Sequence, residues 1–208
     1  RQVGFKNRGA ELMLRAMKDS VTQYEWETPV AIDVTSISGS FAERASLGLL
    51  SMPKLWRLGF QFGRFADFLP KKICSAYGIA RPKDILEVWD AAGFAYTDKW
   101  GESLSAELLD AVKYYKKRGA RFIFLPQAFG PFNNPKIAHN VCRALELSDL
   151  VFIRDDISYE HIRSLNLDDF NDEKYIRSCD FTGNLLCDNS FDDTCAHGMV
   201  GLVPNSAT

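Results

Sequence analysis

Arg121-Phe122-Ile123-Phe124-Leu125-Pro126-Gln127-Ala128-Phe129-Gly130-Pro131-Phe132 is the stretch on which the fold turns. Phe-Ile-Phe-Leu is a short, unbroken apolar run. Such a run reads as a strand buried on both faces, the habit of a parallel sheet covered by helices. Pro126 ends the run, a polar Gln stands at its mouth, and Gly-Pro stiffens the loop beyond.

The neighbouring segments agree. Before this strand, residues 104–118 form an amphipathic helix closed by Gly119, a usual helix stop. After it, residues 135–147 form a helix with Pro in its first turn. Residues 150–153 make another buried strand, and 157–165 another helix. Further back, residues 85–89 form a strand ending in Asp90, and 30–34 form an earlier one. Val3-Gly4-Phe5 closes a first strand, and residues 9–20 carry Leu12, Met13, Ala16 and Met17 at helical spacing. A last strand is read at 199–204. The fold class is therefore α/β, a Rossmann-like parallel sheet with helices on both faces. Ligands of such sheets bind where strands end and loops begin.

Residues 41–81 interrupt the alternation, with Pro53, Pro70 and Pro82 as punctuation. They read as two or three helices inserted after an early strand. A membrane-surface helix or a basic wall beside the site is the functional reading of this insertion. The structural reading is a packed helical excursion with a solvated basic face.

The 208 residues suffice for a sizeable single core, or for one domain plus the start of another. The expected division is 1–198 as the first domain and 199–208 as the truncated start of a second. Arg1 is not an initiator methionine and lies in a strand-like stretch, so the chain is expected to continue upstream of it. Hydrophobic residues at 46% and charged residues at 25% are an ordinary globular balance. A net charge of -2 gives no case for nucleic acid as a partner. Charge is nonetheless uneven: basic residues dominate 41–83, and acidic residues dominate 145–195.

Five cysteines, an odd number without a CxxC pair, fit a reduced, cytoplasmic chain. Cys179, Cys187 and Cys195 repeat every eight residues with His197 close by, but the spacing matches no compact zinc knuckle, and no metal is assigned. No apolar run is long enough to span a bilayer, and no signal peptide is visible.

Four strand-end loops carry the chemistry. In the first, Asn7, Arg8 and Gly9 form a turn into a helix start, whose N–H groups favour an anion. In the second, Asp90 follows a buried strand, and Ala91, Ala92 and Gly93 allow close backbone approach before Asp98. The two carboxylates could bind sugar hydroxyls or serve as acid and base. Alternatively Asp90 caps a turn and Asp98 caps the segment at Trp100. In the third, Gln127 supplies an amide and the rigid loop through Gly130 and Pro131 presents backbone N–H groups at the sheet edge, which suits an oxygen-rich ligand, though a purely structural turn could use the same residues. In the fourth, a strand delivers Arg154, whose planar fork suits a carboxylate or phosphate. Asp155 beside it either orients the guanidinium or caps the next helix, and Ser158 follows one turn on.

In this order the four loops resemble the polysaccharide pyruvyl transferase family. The matching stretches are Gly4-Phe5-Lys6-Asn7-Arg8-Gly9-Ala10-Glu11, Asp90-Ala91-Ala92-Gly93-Phe94-Ala95-Tyr96, Pro126-Gln127-Ala128-Phe129-Gly130-Pro131-Phe132 and Arg154-Asp155-Asp156-Ile157-Ser158. Cys179-Asp180-Phe181-Thr182-Gly183-Asn184 and Gly201-Leu202-Val203-Pro204-Asn205 add support. The chain departs from many members at Ala10, where they carry Asp, and at Ala91-Ala92, where they carry Gly-Gly.

The resemblance implies the N-terminal half of a GT-B-like two-domain enzyme. It implies transfer of a pyruvyl group from phosphoenolpyruvate to sugar hydroxyls of a glycan, with no cofactor. Arg154 would hold the donor carboxylate or phosphate. The Gln127–Pro131 loop, Asp155, Ser158 and the turn at Asn7, Arg8 and Gly9 would line the donor pocket. Asp90 or Asp98 would face the acceptor. His139 and His161 lie in helices and His197 in a polar loop, so the proton donor is expected from the other half, and this half alone is expected to be inactive. The rival readings are a nucleotide-sugar glycosyltransferase of similar fold and a non-catalytic glycan-binding protein. The partners expected are a small-molecule donor and a glycan acceptor, with peripheral membrane contact through 41–81 and a cytoplasmic site of action.

Overall fold

The computed structural model describes residues 4–5, 8–23, 29–168 and 170–184. The readings at Val3, Asn7, Cys187, Cys195 and His197, the strand at 199–204 and the domain start at 199 lie outside the described residues.

The chain opens with helix α1 (Arg8–Gln23) and strand β1 (Ala31–Val34). Helix α2 (Phe41–Ser46) leads to strand β2 (Leu50–Pro53), which pairs in parallel with β1. A short antiparallel hairpin comes next, β3 (Trp56–Arg57) and β4 (Phe60–Gln61). A 3₁₀ helix at Phe62–Phe68 and helix α3 (Lys71–Ala76) complete this part. Then come β5 (Glu87–Asp90), α4 (Glu102–Lys116), β6 (Arg121–Gln127), α5 (Pro135–Leu147), β7 (Leu150–Ile153), α6 (Asp156–Arg163) and β8 (Tyr175–Arg177). The last four strands make one parallel sheet in the order β5-β6-β7-β8.

The quoted strand, now β6, lies between β5 and β7. Its side chains alternate between faces. Phe122 and Phe124 enter a core with Leu108 and Val112 of α4 and with Val141, Ala144 and Leu145 of α5. Leu125 joins a second cluster with Leu14 of α1, Ile32 of β1 and Ala91. Helices therefore cover both faces. Truncating a ring such as Phe122 would cost about 3–5 kcal/mol, because close-packed neighbours do not collapse into the space. Asn134 caps α5 by accepting the N–H groups of Lys136 and Ile137, and Pro135 at the first position lacks a donor that the helix start leaves spare.

Three expectations need correction. Residues 41–81 are not only helical, because β2 and the β3–β4 hairpin lie among them. Pro53 reads as a break, yet it closes β2 at its last residue, where a missing N–H costs the ladder little. Strand β8 is absent from the sequence reading, because three residues are too few to show a period. In α1 the buried residues are Leu14, Ala16 and Val21, while Leu12 is exposed.

Among the described residues, β1 and β5 do not hydrogen-bond to each other. An apolar-walled cavity of about 650 Å³ lies along Leu14, Val30, Ile32, Ile85, Val88 and Trp89. No helix among the described residues is long and apolar enough to cross a membrane.

Candidate functional site

Strand β6 carries Pro126, which has no N–H to give, and its pairing with β7 shifts register between Phe124 and Gln127. That irregularity sets Gln127 opposite Ile153 at the two strand ends. The N–H of Arg154 donates to the Gln127 carbonyl at 3.1 Å. The two residues with the strongest claim on a ligand are thus tied backbone to backbone.

Their side chains differ in state. The Arg154 guanidinium is partly exposed and lies 3.6 Å from the carboxylate of Asp180. Asp180 in turn accepts the N–H and hydroxyl of Thr182, at 3.0 and 2.9 Å. The Gln127 side chain is 0% exposed, and among the described residues neither its amide nitrogen nor its amide oxygen has a hydrogen-bond partner. Buried amides are rarely left this way without a water or ligand to serve them.

The loop beyond Gln127 is fixed along its length. Ala128 donates to the Gly93 carbonyl at 2.9 Å, and Gly130 donates to the Tyr96 carbonyl at 3.2 Å. Asp98 donates its N–H to the Pro131 carbonyl at 3.3 Å. The loops after β5 and β6 therefore run as a zipped pair, with a cis bond at Gly130-Pro131. From the far side, α6 holds the same loop. The Ser158 hydroxyl accepts the Phe129 N–H at 2.9 Å, and His161 Nδ1 donates to the Phe129 carbonyl at 2.9 Å. A carbonyl can only accept, so Nδ1 carries the proton. Gly130 has a φ of +77°, and a Cβ there would lie 2.6 Å from the His161 ring.

Several residues singled out in the sequence hold this scaffold. Asp90 is 0% exposed and accepts the Tyr96 hydroxyl at 2.8 Å, and so holds the loop from beneath. Asp98 accepts the N–H groups of Asn133 and Asn134 at 2.7 and 3.0 Å. Those bonds, that from Asn134 foremost, hold its carboxyl below the ordinary value of 3.8. The segment at Trp100 is capped by Thr97, whose side chain accepts the Lys99 N–H, and not by Asp98. Asp155 caps α6 by accepting the Ser158 N–H at 2.8 Å, and the ion pair of Arg154 is with Asp180.

The first loop approaches from the β1 side. Phe5 donates to the Ile37 carbonyl at 2.9 Å. Gly4 must be glycine, because a Cβ would lie 2.0 Å from that same oxygen. Arg8 at the start of α1 is exposed and pairs with Glu11, and Gly9 beside it is exposed as well. Met13 of α1 lies against Gly93, with 3.5 Å between its methyl and the Cβ position there. Phe181 packs in one cluster with Phe5, Met13 and Leu125. Gly93 and Phe181, the neighbour of Asp180, thus pack on Met13 of α1, while Asp98, Asp155 and Ser158 serve as backbone anchors. Asn7 lies outside the described residues.

Two residues here escape the sequence reading. Asp180 stands only in a supporting stretch of sequence. His161 reads as a plain helical residue, although it follows Ser158 by three positions and so shares a helix face with it. Among the described residues, no three His, Cys, Asp or Glu side chains group so as to hold a metal ion.

Neither curated proteins nor solved structures give a match to the chain. A sequence model of one family, polysaccharide pyruvyl transferase, matches residues 7–196, and so takes in all four strand-end loops from Asn7 onward. This chain belongs to the polysaccharide pyruvyl transferase family.

Proposed function

We propose that this chain supplies the donor-holding half of a GT-B-like enzyme that transfers pyruvate from phosphoenolpyruvate to a sugar diol, forming a ketal. The observation that carries the reading is the tied pair Arg154 and Gln127. One is a cation at a strand end, and the other is a buried amide with no partner among the described residues. Arg154 would exchange its loose contact with Asp180 for the donor carboxylate or phosphate. Gln127 would direct its amide to donor oxygens as they enter. The N-terminal end of α1 adds its dipole to the same anion.

In the reaction, a proton adds to the methylene carbon and positive charge develops on the neighbouring carbon. A sugar hydroxyl forms a C–O bond there. Phosphate departs with the electrons of its own C–O bond, and the second hydroxyl closes the ring. The diol gives up two protons, of which the methyl group retains one and phosphate takes the other. Fixed cationic groups matter because the donor's charge moves during these steps. Asp90 and Asp98 act by holding the loop pair, and the proton donor comes from outside the described residues.

The full-length protein should release phosphate and incorporate pyruvate when given phosphoenolpyruvate and a glycan acceptor. Phosphoenolpyruvate should raise its melting temperature, and a nucleoside diphosphate sugar should not. The opposite pattern of stabilisation would replace this reading with glycosyl transfer. Unchanged activity in Arg154→Ala would remove Arg154 from the donor site.

A further inference from the structure

The segment between β2 and α3 presents a ridge of apolar side chains. Leu58 stands at the tip of the β3–β4 hairpin, in a left-handed turn with Gly59, and is 92% exposed. Phe60, Phe62, Phe65 and Phe68 continue from it as one aromatic chain, with successive ring centroids 5.1, 6.3 and 6.5 Å apart. Phe65 is 59% exposed and Phe68 82%. Leaving rings of this size in water is costly, by about 25 cal/mol per Å² of apolar surface. Exposed groups of them mark interaction sites.

The ridge is held by its inner side. Gln61 accepts the N–H groups of Leu55 and Gly63. Gly63 lies so close to the Pro53 carbonyl that a Cβ would come within 2.1 Å of it. Arg64 pairs with Asp110 of α4 and stacks 4.0 Å over the Tyr114 ring. Asp67, the one acid between Glu43 and Asp84, accepts the Tyr114 hydroxyl and the Lys83 N–H. Inward bonding therefore uses up the segment's negative charge. Arg57 beside the tip, and Lys71 and Lys72 just after the last ring, are exposed.

From this placement we infer that residues 55–73 dock the protein on an anionic lipid surface. Leu58, Phe65 and Phe68 enter the headgroup–acyl boundary, while Arg57, Lys71 and Lys72 meet lipid phosphates. Aromatic rings and basic residues are the pairing that such a boundary favours. A second copy is the poorer occupant. Symmetric pairing would set these three cations against their own copies, with no acid between them to compensate. The inference stands independently of the donor-site reading.

The test is co-sedimentation of the full-length protein with vesicles of phosphatidylcholine containing phosphatidylglycerol, against vesicles of phosphatidylcholine alone. Wild-type protein should partition to the anionic vesicles. Lys71→Gln and Lys72→Gln should each lower partitioning about fivefold, the equivalent of about 1 kcal/mol per basic residue. Phe65→Ser with Phe68→Ser should abolish it while the melting temperature holds, because both rings are exposed. Wild-type protein left in the supernatant with both vesicle types overturns the inference. So does a serine double variant that still sediments, or one that only turns a dimer into a monomer by light scattering.

Discussion

The His161 ring donates to the Phe129 carbonyl through Nδ1 at 2.9 Å and occupies the space that any Cβ at Gly130 would need. Gly130→Ala should therefore destabilise the protein by about 2–4 kcal/mol, since it combines a left-handed φ with a steric overlap. His161→Ala should cost about 1 kcal/mol through the lost hydrogen bond. In the double variant the overlaps with the two ring atoms, each at 2.6 Å, are gone, while the overlap with the Cβ of residue 161 at 2.7 Å and the φ strain remain. The double variant should therefore lose less stability in denaturant unfolding than the sum of the two single losses. Strict additivity would mean that ring and loop do not constrain each other.

Gln127 should separate stability from binding. Its amide is buried with no partner among the described residues, and a buried polar group left so costs about 1–3 kcal/mol. Gln127→Met keeps the length and removes the polar atoms. It should raise the unfolding midpoint of the free protein while weakening calorimetric binding of phosphoenolpyruvate at least tenfold. A lower midpoint would mean that the amide already has a partner in the folded chain.

Asp98 should govern the acid limb of stability. Its carboxyl is held below 3.8, chiefly by the Asn134 N–H and then by that of Asn133. A group depressed on folding contributes stability above its unfolded value and loses it as pH falls through the folded one. Asp98→Asn should cost about 1–2 kcal/mol at neutral pH through a weakened bond set. The gap between variant and wild type should close as pH drops below the ordinary carboxylate range. A gap that stays constant down to about pH 2 would refute the assignment.

The thiols should be ranked by environment. Burial first, and then the Glu146 carboxylate beside it, push the Cys142 thiol up to about 11, while Cys179 is exposed. At about pH 8 only about one Cys142 in a thousand would be thiolate. Peptide mapping after brief iodoacetamide treatment should find Cys179 modified and Cys142 intact.

Long apolar strands and strongly marked helix ends are legible in the sequence. Residues 135–147 and 150–153 carry their boundaries in Pro135 and in Leu-Val-Phe-Ile, and the structure places helix and strand there. Short elements are not legible. Leu50–Pro53 could equally be a helix turn, and Tyr175–Arg177 sits within an acidic tract that reads as loop. At the site, chemistry is easier to foresee than direction. Asp90 shares a strand face with Val88, and both are buried, a parity that strand alternation alone would give. Asp98 and Asp155 stand out in the sequence, but their bonds to backbone N–H groups depend on loops that only the folded chain brings together.

The zipped loops after β5 and β6 also bear on how relatives of this protein could diverge. Their backbones are cross-bonded from Gly93 to Pro131 and gripped again by α6. Lengthening either loop by one residue would break several of these bonds together. Divergence here should therefore accumulate through exchanges at outward side chains such as Phe94 and Trp100, with insertions and deletions confined to other loops.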